Sequence, residues 1–380
     1  MKKELCMMAI GLLLAGCSAD EEIANVHTSE SNVIGFNVVS NNPQTKAEII
    51  TGENLSEYPF AIYAFKPDGS LFMGNIDEAL GKNGVRISNQ NGVWTYVNSN
   101  DKKYWPHDPL NFYAVYPVLS EDDSDRFMSM LWNINSVYQS IYYTACDEFG
   151  MSIRTKNIDV MYAVAPYQNK TTNNGIVHLT FKHALSQILF KAMTEDSTIE
   201  VQIKGMSIHN IHYSGSFSLP SFDESGQIGE VNNSLWSLFG NPAPHYTIGL
   251  NGTLLEVDHN EKEISGGENA MLVIPQQLTP WNPQNGGIHV ADTHKQSYLQ
   301  ITCKIWHNAH YFVGNENEYG DIYVPFEADW QPGKRYIYTL RFGGGYTEEG
   351  EEIDLIPITF GVEVSEWSDA VDGEIIHPEL

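Results

Sequence analysis

The stretch Pro357–Trp367, PITFGVEVSEW, decides the fold. Counting Ile356 just before it, the apolar residues Ile356, Ile358, Phe360, Val362 and Val364 occupy every second position without a break. A helix would scatter these side chains around its circumference, whereas a strand sets them all on one face. The same period returns in NVIGFNVV (Asn32–Val39), where Ile34, Phe36 and Val38 share a face. In ADWQPGKRYIYTLRF (Ala328–Phe342), Pro332-Gly333 supplies a turn and Tyr336, Tyr338, Leu340 and Phe342 the apolar face.

Working outward, PFAIYAF (Pro59–Phe65), GVWTYV (Gly92–Val97), LNFYAVYP (Leu110–Pro117) and DVMYAVAP (Asp159–Pro166) read as further strands. Each is bounded by Gly, Pro, Asn or Asp. After the loop composition KTTNNG (Lys170–Gly175) a second series opens with IVHLTF and SQILFKAM and runs to the final strand. The chain therefore reads as all-β, with strands enough for two sandwiches divided near Gly175, over residues 33–175 and 176–380. Neither half has a βαβ rhythm, which argues against a parallel α/β enzyme core. The segment Leu119–Arg154 is acidic at its start and weakly patterned, and reads as a short helix or a large surface loop.

Composition narrows the function. The 380 residues are 42% hydrophobic and 18% charged, so sizeable cores can be buried. A formal net charge of −27 argues against nucleic acid or an anionic membrane face as a partner, since both demand clustered Lys and Arg. Cysteines occur at 6, 17, 146 and 303, with no metal-type or small-domain disulfide spacing. Cys146 and Cys303 read as lone buried thiols rather than a long-range bridge.

The opening residues MKKELCMMAIGLLLAGCSADEE have a basic start, an apolar run too short to cross a bilayer, and small residues before Cys17. This pattern resembles the lipobox of bacterial lipoproteins. It implies a signal peptide over 1–16, acylation of Cys17 and a polar tether over 17–32. Asp20, Glu21 and Glu22 look like the acidic signal that sends lipoproteins of some Gram-negative anaerobes to the outer surface.

The usual chemical signatures are missing from the sequence. There is no HExxH, no Cys/His ligand set and no GxSxG elbow, so neither a metal site nor a cofactor is expected. His209 with His212, and His307 with His310, lie in strand or loop surroundings and read as structural or solvent-facing. The acidic YTEEGEEID (Tyr346–Asp354) reads as a solvated hairpin tip. Trp105 in YWPHD and Trp281 in TPWNP sit beside prolines in loops, and are the aromatic candidates for ligand contact.

Several blocks in order resemble the fimbrillin family, surface pilus subunits of Gram-negative anaerobes. They are DKKYWPHDPLNFYAVYP (Asp101–Pro117), DVMYAVAP, VHLTFKHALSQILFKA (Val177–Ala192), MLVIPQQLTPW (Met271–Trp281), WQPGKRYIYTL (Trp330–Leu340) and ITFGVEVSEW (Ile358–Trp367). The resemblance implies two transthyretin-like Greek-key sandwiches in tandem, an outer-membrane lipoprotein precursor, and assembly by donated strands after proteolytic trimming. It implies as partners other fimbrial subunits, the outer membrane through the lipid anchor, and a host or bacterial surface receptor.

In such subunits a trypsin-like protease cuts the linker behind the first strand, and here that linker holds Thr45-Lys46-Ala47. Lys46 stands where arginine is expected. Either lysine is accepted, or this member is not trimmed and serves at the tip or the anchor; otherwise Lys46 is an ordinary loop residue. Release of the first strand, residues 33–40 with Val33, Ile34, Phe36 and Val38, would open an apolar groove that a neighbour's strand refills. Ile356, Ile358, Phe360, Val362 and Val364 form the candidate donor. The leading expectation is a non-enzymatic fimbrillin-like pilus subunit or accessory adhesin at the cell surface. The alternatives are a glycan-binding surface lipoprotein of a nutrient-uptake system and an extracellular hydrolase.

Overall fold

A computed structural model describes residues 32–39, 58–75, 83–118, 130–145, 159–250, 252, 254–265, 270–343, 345–353, 355 and 358–367. In the first half the strands are β1 (Gly35–Val39), β2 (Phe60–Phe65), β3 (Leu71–Met73), β4 (Val85–Gln90), β5 (Val93–Tyr96), β6 (Leu110–Tyr116), β7 (Met130–Ile134), β8 (Gln139–Thr144) and β9 (Met161–Gln168). Next come β10 (Ile176–Thr180), β11 (Lys182–His183), β12 (Ser186–Thr194), β13 (Glu200–His209), β14 (Ser214–Ser218), β15 (Trp236–Leu238), β16 (Tyr246–Thr247), β17 (Leu255–Val257), β18 (Lys262–Ser265) and β19 (Met271–Val273). Then follow β20 (Gln277–Leu278), helix α1 (Ile288–His294), β21 (Tyr298–His307), β22 (His310–Val313), β23 (Gly320–Pro325), β24 (Ala328–Asp329), β25 (Lys334–Phe342) and β26 (Thr359–Glu366).

The middle layer of the first half is the sheet β11-β9-β6-β2-β4-β5, with β3 also on β2. Every residue of β2 is buried, which is why PFAIYAF reads as a continuous apolar run and not as an alternation. Phe60, Ile62 and Ala64 face the core shared with β1 and β10. Ala61, Tyr63 and Phe65 face the core shared with Trp132, Tyr143 and Phe217 of the sheet β15-β14-β8-β7.

The second half is a sandwich. One sheet runs β18-β12-β25-β26 with β19 also on β12; the other runs β16-β13-β21-β22 with β17 on β13 and β23 on β21. Ile188, Phe190, Tyr338 and Leu340 meet Ile203, Ile208, Ile301 and Ile305 between them, in the same core that reaches Trp132 and Tyr63. Most pairings are antiparallel, but β1–β10 and β12–β25 are parallel.

One expectation needs revision. Within 119–154, β7 and β8 form an antiparallel hairpin, Met130↔Tyr143 through Ile134↔Gln139, in place of the expected helix or surface loop. Met130, Trp132 and Ile134 alternate inward, and at the turn the Asn135 side-chain oxygen accepts from the N–H groups of Val137 and Tyr138. The line drawn near Gly175 is also crossed by three pairings: β10 joins β1, β11 joins β9, and β14 joins β8.

Candidate strand-exchange site

Strand β1 lies parallel to β10 in register Gly35↔Ile176 to Val39↔Thr180, and β10 is its one strand partner among the described residues. Ile34 is 0% and Phe36 6% exposed, while Val33 and Val38 are half-buried. The Phe36 ring stands edge-on to Phe60, Tyr96 and Phe112 at 6.3, 5.7 and 6.3 Å. The strand is also tied at its start. Ile34 N–H donates to Lys103 O at 2.9 Å, Trp105 N–H to Asn32 O at 3.0 Å, and the Tyr96 hydroxyl to Ile34 O at 3.1 Å. Burial drives the Tyr96 phenol far above its ordinary range, so it stays a donor at any physiological pH.

The two fully buried side chains account for about 3–6 kcal/mol of transfer free energy, a large share of the roughly 5–15 kcal/mol net stability of a domain. An emptied groove would therefore expose apolar rings together with the unpaired backbone edge of β10. Sequence reasoning identified Ile34, Phe36 and Val38 from their period of two. It missed Tyr96, whose hydroxyl contact depends on a fold that brings residues 62 positions apart together.

Trp105 belongs to this site in another role than expected. It is 7% exposed, its indole N–H donates to Gly175 O at 2.8 Å, and its ring lies 6.0 Å from Phe112. Gly175 sits at φ +80°, and a Cβ there would stand 3.1 Å from the indole nitrogen, so the turn into β10 requires glycine. Trp281 is 2% exposed, donates to Gly286 O at 2.9 Å, and packs on Tyr298 and Tyr346. Neither tryptophan offers a face to a ligand. The flanking prolines mark loops correctly, but these loops fold over the core and bury their aromatic rings.

The candidate donor lies in β26, paired antiparallel to β25 from Lys334↔Glu366 to Arg341↔Thr359 at the edge of its own sheet. Ile358 is buried, Phe360 half-buried against Phe326, and Val362 and Val364 are exposed by 43% and 44%. The strand is pinned at its end by Trp367, which stacks on His183 at 3.9 Å and 12° and donates its backbone N–H to Gly333 O. His183 in turn meets the fully buried Asp159 at 2.8 Å. Here the strand completes its own sheet and does not project. Its unbroken alternation reports which side faces inward, not whether the strand is free. Ile356, Cys17, Lys46, Ala47 and Cys146 lie outside the described residues. Cys303 is buried in β21, and burial pushes its thiol far above the ordinary range.

The family profile described as Fimbrillin-like matches residues 45–367. The chain belongs to the fimbrillin-like family. Family membership makes it a structural protein and not an enzyme. No curated protein matches it. Among solved structures, this fimbrillin is similar to a fimbrial protein from Bacteroides vulgatus, with 15% identity and a TM-score of 0.55, covering 89% of this chain and 100% of that one. That likeness shows a shared fold. A further similarity is to the tip fimbrial protein Mfa3 from Porphyromonas gingivalis with C-terminal truncation, at 11% identity and TM-score 0.35, covering 85% and 97%.

Proposed function

We propose that this fimbrillin is a pilus subunit or accessory component, exported as a lipoprotein acylated at Cys17, that assembles at the outer surface by exchanging strand β1 for a strand of a neighbouring subunit. The observation that carries this reading is the seating of Ile34 and Phe36 among Phe60, Tyr96 and Phe112 with β10 as the backbone partner. A strand that buries two side chains and pairs with one strand among the described residues can be replaced by another of the same pattern, which is the strand-addition mode of recognition. While β1 remains covalently attached it competes at an effective concentration of about millimolar or more, so cleavage after Lys46 is the step that commits the subunit. For β26 to serve as donor it must leave β25 and release Trp367 from His183. That cost favours donation only when a vacated groove awaits it.

The test is limited trypsin treatment of the full chain, followed by sequencing of the new N-terminus and gel electrophoresis without heating. The expected outcome is a folded body beginning at Ala47 and a ladder of detergent-resistant oligomers, suppressed by an excess of the peptide Val33–Ser40 and not by the same peptide carrying Phe36→Ala. Cleavage that leaves a monomer, or a ladder indifferent to both peptides, overturns the proposal.

A further inference from the structure

We infer that the seating of β1 and the docking of β26 are coupled, so that a subunit whose first strand is displaced also loosens its own candidate donor. Its use in assembly rests on the strand-exchange reading, but the coupling itself needs neither cleavage nor polymer. The link is the segment Ile176–His183, which holds β10, Phe181 and β11 without a break. At its start β10 pairs with β1, and β1 is the one strand paired with β10 among the described residues. At its end Lys182 and His183 pair with Tyr162 and Met161 of β9, and His183 carries the stacked Trp367 of β26 at 3.9 Å.

Side chains join the same two ends. The Phe36 ring stands 6.3 Å from Phe60, and Phe60 stands 5.4 Å from Phe181, just ahead of β11. All three phenylalanines are buried in one cluster with Val177 and Leu179 of β10. Removing Phe36 leaves a cavity beside Phe60, and in a close-packed interior the neighbours relax into such a space by shifting together. With β1 gone, β10 also loses the backbone ladder the two strands share. Both changes act on the segment that ends at His183.

The far end is built to respond. Trp367 is held by its stack on His183 and by its backbone N–H, which donates to Gly333 O at 2.7 Å. Gly333 N–H in turn donates to Leu185 O at 2.9 Å, so this tie also hangs on the chain just past β11. The buried indole N–H of Trp367 has no hydrogen-bond partner among the described residues, and neither has one oxygen of Asp159, the carboxylate that His183 meets at 2.8 Å. Two buried polar atoms left unpaired make the docked arrangement costly, so a small movement of His183 tips it toward release. In assembly, β26 stays docked while β1 is seated and becomes available once β1 has gone. An immature subunit therefore does not offer a donor.

The test is amide hydrogen exchange on the intact, uncut chain, comparing the parent with Phe36→Ala, Trp367→Ala and the double variant. Exchange over 359–366 is expected to accelerate about tenfold in Phe36→Ala, an ordinary size for coupling between two sites. Strand β18, at the opposite end of the same sheet, should exchange as in the parent. Because coupling is reciprocal, Trp367→Ala should accelerate exchange over 35–39. In the double variant Phe36→Ala should add little over 359–366 beyond the effect of Trp367→Ala, since the contact through which it acts is already gone. If Phe36→Ala shows no cooperative thermal transition, Phe36→Leu, which keeps an apolar side chain but puts no ring on Phe60, is read by the same criteria. Unchanged exchange over 359–366, equal acceleration in β18, or independent addition of the two effects overturns the inference. A detergent-resistant ladder without the exchange response defeats the coupling alone, and the exchange response without a ladder defeats assembly by strand exchange alone.

Discussion

His209 illustrates how one residue's burial sets a pH response for the body. Its ring stacks on Tyr298 at 4.4 Å, with His245 at 6.2 Å, and Ser207 lies within hydrogen-bonding distance at 3.1 Å. Burial, reinforced by His245, pushes its imidazole down to about 4 against the opposing pull of Asp292. In the unfolded chain the same group titrates near 6.5, so between these values the unfolded state binds more protons and stability falls as pH falls. Discounted for partial exposure, the loss is about 2 kcal/mol. Unfolding free energies from urea titrations at pH 7 and pH 4.5 should differ by this amount more in the parent than in His209→Gln; equal pH responses would refute the assignment. The same scale holds the His183–Asp159 contact, in which one Asp159 oxygen has no partner. A buried carboxylate in that position depends on its histidine, and the histidine also carries the stacked Trp367.

At the scale of elements, β1 and β26 show two forms of edge. Strand β1 presents few residues but buries its best ones, and its loss would open a hydrophobic groove. Strand β26 is longer, yet Val362 and Val364 remain exposed. Its hold is concentrated at Ile358, Phe360 and the terminal Trp367. Trp367→Ala removes the stack on His183 and should let β26 fray. Amide exchange over 359–366 is then expected to accelerate by about tenfold or more while β25 stays protected, since local opening draws on local contacts. Protection unchanged across β26 would show that the strand is held by its ladder alone. Strands β7 and β8 belong at this scale too. MLWNI at 130–134 has the right period, but it lies in a segment whose acidic start obscures the signal.

For the whole molecule, the decisive feature is a core that runs without interruption from Ala61 and Tyr63 through Trp132 and Phe217 to Leu340 and Trp367. Strands β10, β11 and β14 follow residue 175 in the chain yet complete the layers that precede it. A fragment of residues 33–175 would lack the partner of β1 and one flank of the sheet containing β8. It is expected to be largely unfolded, with poor amide dispersion by NMR and no cooperative thermal transition, whereas residues 33–380 melt cooperatively. A well-folded 33–175 fragment would show that the first half needs nothing from the second.

The local patterns of the chain determined that it is built of strands, which side chains of β1 and β26 face inward, and where the turns fall. Each of these follows from the period of a strand or the chemistry of Gly, Pro, Asn and Asp, and needs no distant contact. The blocks that resemble fimbrillins were likewise legible in order. Only the tertiary structure decided that both faces of β2 are covered, that Trp105 and Trp281 serve the interior, and that β26 is docked. Burial and pairing are properties of residues tens or hundreds of positions apart, and alternation along one strand carries no information about what the fold lays against it.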